Sequence, residues 1–371
     1  MSLRAGPFCK GEAMRQFRND YSEGAAPEIL DALVRTNAQQ TPGYGEDEFC
    51  AAAANLIRAI CGQPDAFVKF IPGGTAANIL AISALTDEFE GPILAADAHP
   101  TIHETGAIEG TGRRLLSTRD PFGILTPQEA ERVWRDMTSG GCHTTRPGMI
   151  YFSNTTEFGH AYTRAEFDAL CDWAQSHDLA VYVDGARMAS ALTSPGCDLT
   201  LEHLAARADA FTLGGTKAGM LFGEALVVNP RSDRARRAIE RIPYLTKRAG
   251  LLTAKGRLMG VQYQAAFTAP AGGGTMDAPY WRYAAQSNAC AAALASGLQD
   301  AGFELYLDVT GNQQFIWTTC EQAARFAEAC GAETMVAEDP TGADRVVVRF
   351  VTSWATTLDD CEKLIEFART L

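Results

Sequence analysis

The 371-residue chain exceeds the size at which a single hydrophobic core stops growing, so a large domain with a smaller companion is expected. Apolar residues at 46% and charged residues at 21% are ordinary for a globular protein and exclude intrinsic disorder. With 45 acidic against 32 basic residues, the net charge of −13 argues against binding to nucleic acid or to an anionic membrane.

Residues 1–26 read as an N-terminal segment. Met1-Ser2-Leu3-Arg4-Ala5-Gly6 has no apolar run of the secretory kind, and later apolar stretches such as 71–85 are broken by Pro72, Gly73, Gly74 and Asn78. The expectation is a soluble, cytoplasmic protein. From 27 to 267, short apolar runs alternate with amphipathic stretches, the signature of a large α/β domain around a mostly parallel sheet. Four strands matter most, at 67–71, 93–96, 179–183 and 210–213, because ligands collect at the carboxyl ends of such strands. Helix starts are marked at Thr126-Pro127-Gln128-Glu129 and Thr163-Arg164-Ala165-Glu166, each with a cap residue and a glutamate three positions later. After the second, Phe167, Leu170, Cys171 and Ala174 fall on one helical face.

The run Thr268-Ala269-Pro270-Ala271-Gly272-Gly273-Gly274-Thr275 breaks the pattern and is the expected hinge. Residues 268–371 then read as a small C-terminal α+β domain: a long helix over 280–301, strands at 314–318 and 346–351, and a last helix from Leu358. Ten scattered cysteines include no Cys-x-x-Cys pair and no accompanying histidine cluster, which argues against a metal site or a disulfide framework and makes most of them small buried hydrophobes.

Four elements carry chemistry. The strand at 179–183 delivers Asp184, followed by Gly185-Ala186-Arg187; an isolated Asp-Gly commonly caps a helix. The strand at 210–213 runs into Gly214-Gly215-Thr216-Lys217; a lone lysine after glycines is commonly a solvated loop residue. Together they read differently. A lysine crowded by small residues can attack a carbonyl carbon, and a carboxylate at the same sheet edge can keep a pyridine nitrogen protonated, the two requirements of pyridoxal 5′-phosphate (PLP). The turn Pro72-Gly73-Gly74-Thr75 opens a helix whose N–H groups and dipole suit a phosphate. Finally, Asp97-Ala98-His99, with Glu104 five residues on, offers an imidazole for stacking or proton transfer.

These elements in this order, with Tyr44-Gly45-Glu46-Asp47 upstream and Arg349-Phe350-Val351-Thr352-Ser353-Trp354 near the end, resemble the low-specificity threonine aldolases over nearly the whole chain. The resemblance implies PLP fold type I, with Lys217 holding the cofactor as a Schiff base, Asp184 on the pyridine nitrogen, His99 stacked on the ring, and Gly73, Gly74, Thr75 and Thr216 among its further contacts. It implies that Arg349 and Arg187 serve the substrate carboxylate and the cofactor. It also implies a homodimer or homotetramer in which Tyr44 and Lys255 reach the neighbour's site. Two departures are visible. Asn19 stands where the family usually offers a serine to the carboxylate, and Thr156 where many relatives have a histidine near the β-hydroxyl, which leaves His160, His103 or a water as candidates for that proton. The implied activity is cleavage of the Cα–Cβ bond of a β-hydroxy-α-amino acid to glycine and an aldehyde. The alternatives are another PLP-dependent lyase, racemase or transaminase acting on a small amino acid, or a PLP-binding module without turnover.

Overall fold

The run Met149-Ile150-Tyr151-Phe152 is apolar without alternation because both faces of its strand are covered. A computed structural model, which describes residues 14–119, 123–335, 339 and 344–371, places this run inside a seven-stranded sheet. The strands are β1 (Phe67–Ile71), β2 (Glu90–Leu94), β3 (Leu116–Ser117), β4 (Arg146–Ser153), β5 (Ala180–Asp184), β6 (Ala210–Gly214) and β7 (Glu224–Val228), in the order β1-β7-β6-β5-β4-β2-β3. Neighbours from β3 to β6 are parallel, whereas β7 is antiparallel to both β6 and β1.

Successive side chains point to opposite faces, so each strand feeds two cores. Met149, Tyr151, Ala180 and Tyr182 pack under helices Gly74–Leu85 and Asp233–Arg248. Ile150, Phe152, Val181 and Val183 pack against helices Glu48–Cys61, Arg164–Ser176 and Arg257–Phe267. The expected face of Phe167, Leu170, Cys171 and Ala174 is buried there. Its helix begins with the full capping box: Thr163 Oγ1 accepts from Glu166 N–H, and Glu166 Oε2 accepts from Thr163 N–H at 2.8 Å.

The strand expected at 93–96 instead spans Glu90–Leu94. Pro92 has no N–H for the ladder, which is why the sequence reads as a strand only after it; the pairing with β4 shifts register between Gly91 and Pro92 and so admits the proline. The other three lie within one residue of expectation.

A second, three-stranded antiparallel sheet has the order β8-β10-β9, where β8 is Gln313–Thr318, β9 Glu333–Met335 and β10 Val346–Val351. Helices Pro279–Asp300, Cys320–Cys330 and Leu358–Ala368 cover one face of it with Leu294, Phe326 and Leu364. Phe17 is buried in the same cluster, its N–H bonded to Cys330 O and its carbonyl to Val351 N–H, both at 2.8 Å. Ala26 N–H reaches Gly219 O at 2.8 Å, so residues 14–26 cross from the small sheet to the large one. Positions 1–13 of the expected N-terminal segment, Cys9 included, lie outside the described residues. Among the described cysteines, six are buried, and burial pushes Cys50, Cys61 and Cys171 up to about 12. No helix among the described residues is long and apolar enough to cross a membrane.

Candidate active site

Two close backbone approaches at the tips of β5 and β6 assemble the site. A Cβ on Gly185 would lie 1.9 Å from Thr212 O, and one on Gly214 would lie 2.6 Å from Ala186 O. Only glycine fits at either place, and the hydrogen bond from Gly214 N–H to Gly185 O (3.0 Å) locks the two turns together. The result brings Asp184 and Lys217 into one cleft of about 480 Å³, shared with Asn19, Thr75, His99, Arg187, Glu224 and Arg349.

Asp184 is buried at the cleft floor with three donors. Tyr151 Oη (2.6 Å) and Asn78 Nδ2 (2.9 Å) donate to Oδ2, and Ala186 N–H (2.9 Å) donates to Oδ1. The Ala186 bond is a local turn contact and not a helix cap: the helix Met188–Leu192 that follows has Arg187 at its N-cap position and no side-chain cap. Asn78 Nδ2 also donates to Glu104 Oε1 at 2.8 Å, and Asn78 Oδ1 accepts from Tyr182 Oη at 2.8 Å. Burial, reinforced by the Asp184 charge, raises Tyr151 and Tyr182 well above the ordinary phenol value and keeps both as donors.

His99 Nδ1 lies 2.9 Å from Glu104 Oε1. Burial works against the imidazolium, but the Glu104 hydrogen bond and the charges of Glu157, Asp184 and Glu104 outweigh it and raise the His99 pKa. Lys217 lines the same cleft, its Nζ 5.9 Å from the centre of the Tyr21 ring. Burial and the neighbouring Arg187 guanidinium lower its pKa, against the pull of Asp20, Glu157 and Asp184. A lysine so placed is biased toward the neutral, nucleophilic amine.

The helix Gly74–Leu85 has no side-chain cap and no acidic residue in its first turn, so its first N–H groups remain open to an anion at the cleft. Thr216 does not line the cleft; its Oγ1 accepts from Gly223 N–H at 3.2 Å and closes the Lys217 loop. Arg187 lines the cleft, but its Nε and Nη2 hold Asp20 at 2.7 and 3.2 Å. Asp20 takes a third bond from Asn312 Nδ2 at 2.9 Å. Asn19 Oδ1 accepts from Tyr21 N–H and Ser22 Oγ, which leaves its amide N–H groups as donors for a ligand. Arg349 pairs with Glu333 through Nη2 and reaches Gln313 Oε1 at 3.4 Å through Nη1.

Some expected residues lie elsewhere. Tyr44 lines a separate cavity with Gly45, Asp47 and Leu251, and its N–H bonds to Ala254 O, next to Lys255. Neither Tyr44 nor Lys255 lines this chain's cleft. His160 faces Glu166 at 3.3 Å and also stays out of it, whereas His103 and Glu157 line it. Asn78, Tyr151, Glu157, Glu224 and Glu333 are site residues that sequence reasoning did not assign. Asn78 left a trace, as the polar break in an apolar helix; Glu224 left another, as a charge heading an apolar strand.

A mostly parallel sheet with one antiparallel strand, an aspartate ending β5 and a lysine just after β6 define a PLP-dependent enzyme of fold type I. Aspartate aminotransferase of Thermus thermophilus shares that fold at 15% identity, with a TM-score of 0.67 over 97% of this chain and 92% of its own. The chain belongs to the beta-eliminating lyase family, whose profile matches residues 16–321. A low specificity L-threonine aldolase of a Pseudomonas species is 32% identical over 81% of this chain and 84% of its own length. The structure of a Leishmania major threonine aldolase aligns at 36% identity and a TM-score of 0.88, covering 96% of this chain and 99% of that one.

Proposed function

We propose that the protein is a PLP-dependent aldolase that cleaves the Cα–Cβ bond of a β-hydroxy-α-amino acid, such as L-threonine, L-allo-threonine or phenylserine, to glycine and an aldehyde. The observation that carries this is the single cleft in which a lysine of lowered pKa, a thrice-bonded aspartate, a histidine and an arginine face one another. The donor set fits the cofactor. Lys217 offers an amine to its aldehyde, Asp184 a carboxylate to its ring nitrogen, His99 a ring to stack, and the uncapped helix start Gly74-Thr75 a place for its phosphate, with Gly73 at the N-cap position and outside the cleft lining. PLP, when bound, supplies an electron sink for the bond broken at the substrate's Cα.

The chain's own groups then do the rest. Arg349 and Asn19 line the cleft as donors for the substrate carboxylate, and by fixing it they would select which bond at Cα is broken. Glu157 and His103 line the cleft and are this chain's candidates to accept the β-hydroxyl proton. Lys217, the residue that would hold the cofactor, is also the amine placed to carry a proton at the substrate's Cα. Tyr151 and Asn78 hold the Asp184 carboxylate in place throughout. We further propose that the small domain begins at 268 and that the enzyme is cytoplasmic. It works as a homodimer or homotetramer, with Tyr44 and Lys255 presented to a second subunit's cleft.

The test is incubation of PLP-loaded protein with L-threonine, L-allo-threonine and phenylserine, with glycine and aldehyde both detected. Product from none of the three overturns the reading. Loss of chirality, or a keto acid without aldehyde, moves it to racemisation, β-elimination or transamination.

A further inference from the structure

At the head of β7 the sequence places one charged residue, Glu224, before the apolar run Ala225-Leu226-Val227-Val228. β7 sits between β1 and β6 with Glu224 opposite Ile71 on one side and Gly214 on the other. That register sets its carboxyl between the helix-opening turn after β1 and the lysine loop after β6. A Cβ on Gly74 would lie 4.0 Å from Glu224 Oε1, and the side chain lines the cleft while remaining 4% exposed. Oε2 is buried with no hydrogen-bond partner, and none of the ion pairs among the described residues includes Glu224.

The ionisable groups that face it are Asp184 and Lys217, with the phenols of Tyr182, Tyr263 and Tyr280 around them. Burial and the Asp184 charge raise the Glu224 pKa well above the ordinary carboxyl value, and Lys217 only partly opposes them. A neutral carboxylic acid has one O–H to give. A buried donor without an acceptor is costly, so this one calls for an acceptor in the cleft. Next to it, the open N–H groups of the helix Gly74–Leu85 favour an anion. An ionised Glu224 would repel a phosphate dianion, and Lys217, the cation that faces it, is the residue assigned to the cofactor's aldehyde; a protonated Glu224 is a donor.

We propose that Glu224 is a phosphate-recognition residue: its carboxyl O–H donates to an oxygen of the cofactor's phosphomonoester seated on the Gly73-Gly74-Thr75 turn. This rests on the PLP reading above and adds a contact that a basic residue would ordinarily make. Acid and backbone N–H groups together then complete a phosphate site that has no arginine or lysine of this chain assigned to it.

The experiment titrates apo-protein with PLP and, separately, with pyridoxal, which lacks the phosphate, in the parent, Glu224→Gln and Glu224→Ala. An amide still donates, so Glu224→Gln is expected to keep the PLP Kd within about threefold. Glu224→Ala is expected to weaken it about 10- to 100-fold, the size of one hydrogen bond to an anion. Neither should change pyridoxal binding. Infrared difference spectra of the PLP-loaded parent should show a protonated-carboxyl stretch that Glu224→Gln lacks, and this readout stands if the alanine variant does not fold. Unchanged or tighter PLP binding by Glu224→Ala, equal weakening of pyridoxal, or an absent carboxyl stretch each overturns the proposal. A parent protein that binds no PLP overturns the cofactor reading itself, a result separate from any of these.

Discussion

The floor and the rim of the cleft are built differently. Asp184, Asn78, Tyr151 and Tyr182 form the floor; they come from β4, β5 and the helix Gly74–Leu85, are buried, and bond to one another. The rim residues Asn19, Glu157, Glu333 and Arg349 come from the N-terminal crossing, a loop and the small sheet, and the bonds they make are to residues of these outer elements. A group held by packed strands keeps its geometry before any ligand arrives, whereas a group held by a loop or by a second sheet takes its final position from the ligand and from how the two sheets sit. In the proposed function the floor therefore serves the cofactor and the rim the substrate.

The largest effects are expected where the floor is broken. Lys217→Ala should abolish turnover and the covalent fixation of PLP by borohydride; an undiminished fixed cofactor would name another lysine. Asp184→Asn keeps the shape and removes the charge. We expect turnover to fall about 10²- to 10³-fold, by analogy with the loss of one preorganised electrostatic group, while PLP still reduces onto Lys217. A tenfold or smaller loss would mean that Asp184 acts mainly through the N–H of Ala186.

The floor was also the part most legible in the sequence. Asp184 and Lys217 each follow an apolar run that ends in small residues, and the glycines beside them answer to contacts of 1.9 and 2.6 Å that no other side chain survives. What could not be read is what depends on distance through space. Arg187 faces Asp20 across 167 positions, and nothing local to either says that the guanidinium is already engaged. Glu333 carries no motif at all, and it meets Arg349 only because β9 and β10 are paired in that register. The early start of β2 has the same origin: a proline that local rules exclude is admitted by a register shift against β4.

Arg349 tests the rim. Its removal in Arg349→Ala should lower kcat/KM about 10- to 100-fold, chiefly through KM, as expected for a charged hydrogen bond to the substrate carboxylate, with PLP affinity unchanged. Between floor and rim stands His99. Its raised pKa means that protonation favours the folded state: this stability is fully present below the unfolded value of about 6.5 and is lost as pH rises through the higher folded value. Glu104→Gln removes the main group that opposes burial, and thermal melts across that interval should lose their pH slope by about 1 kcal/mol. A slope that survives would place the relevant charge on Glu157 or Asp184.

The smallest expected effect is the most informative about the rim. Without substrate, the Arg349 guanidinium is paired with Glu333, whose side chain is 47% exposed. An incoming carboxylate competes with that partner, and a partly exposed ion pair contributes less than about 1 kcal/mol. Glu333→Gln should therefore lower KM by no more than about fivefold and leave kcat alone. If KM rises instead, Glu333 is holding Arg349 in position and the rim is preorganised like the floor. A substrate bearing a cation should separate the cases further, since it gains from Glu333 in the parent and loses that gain in the variant.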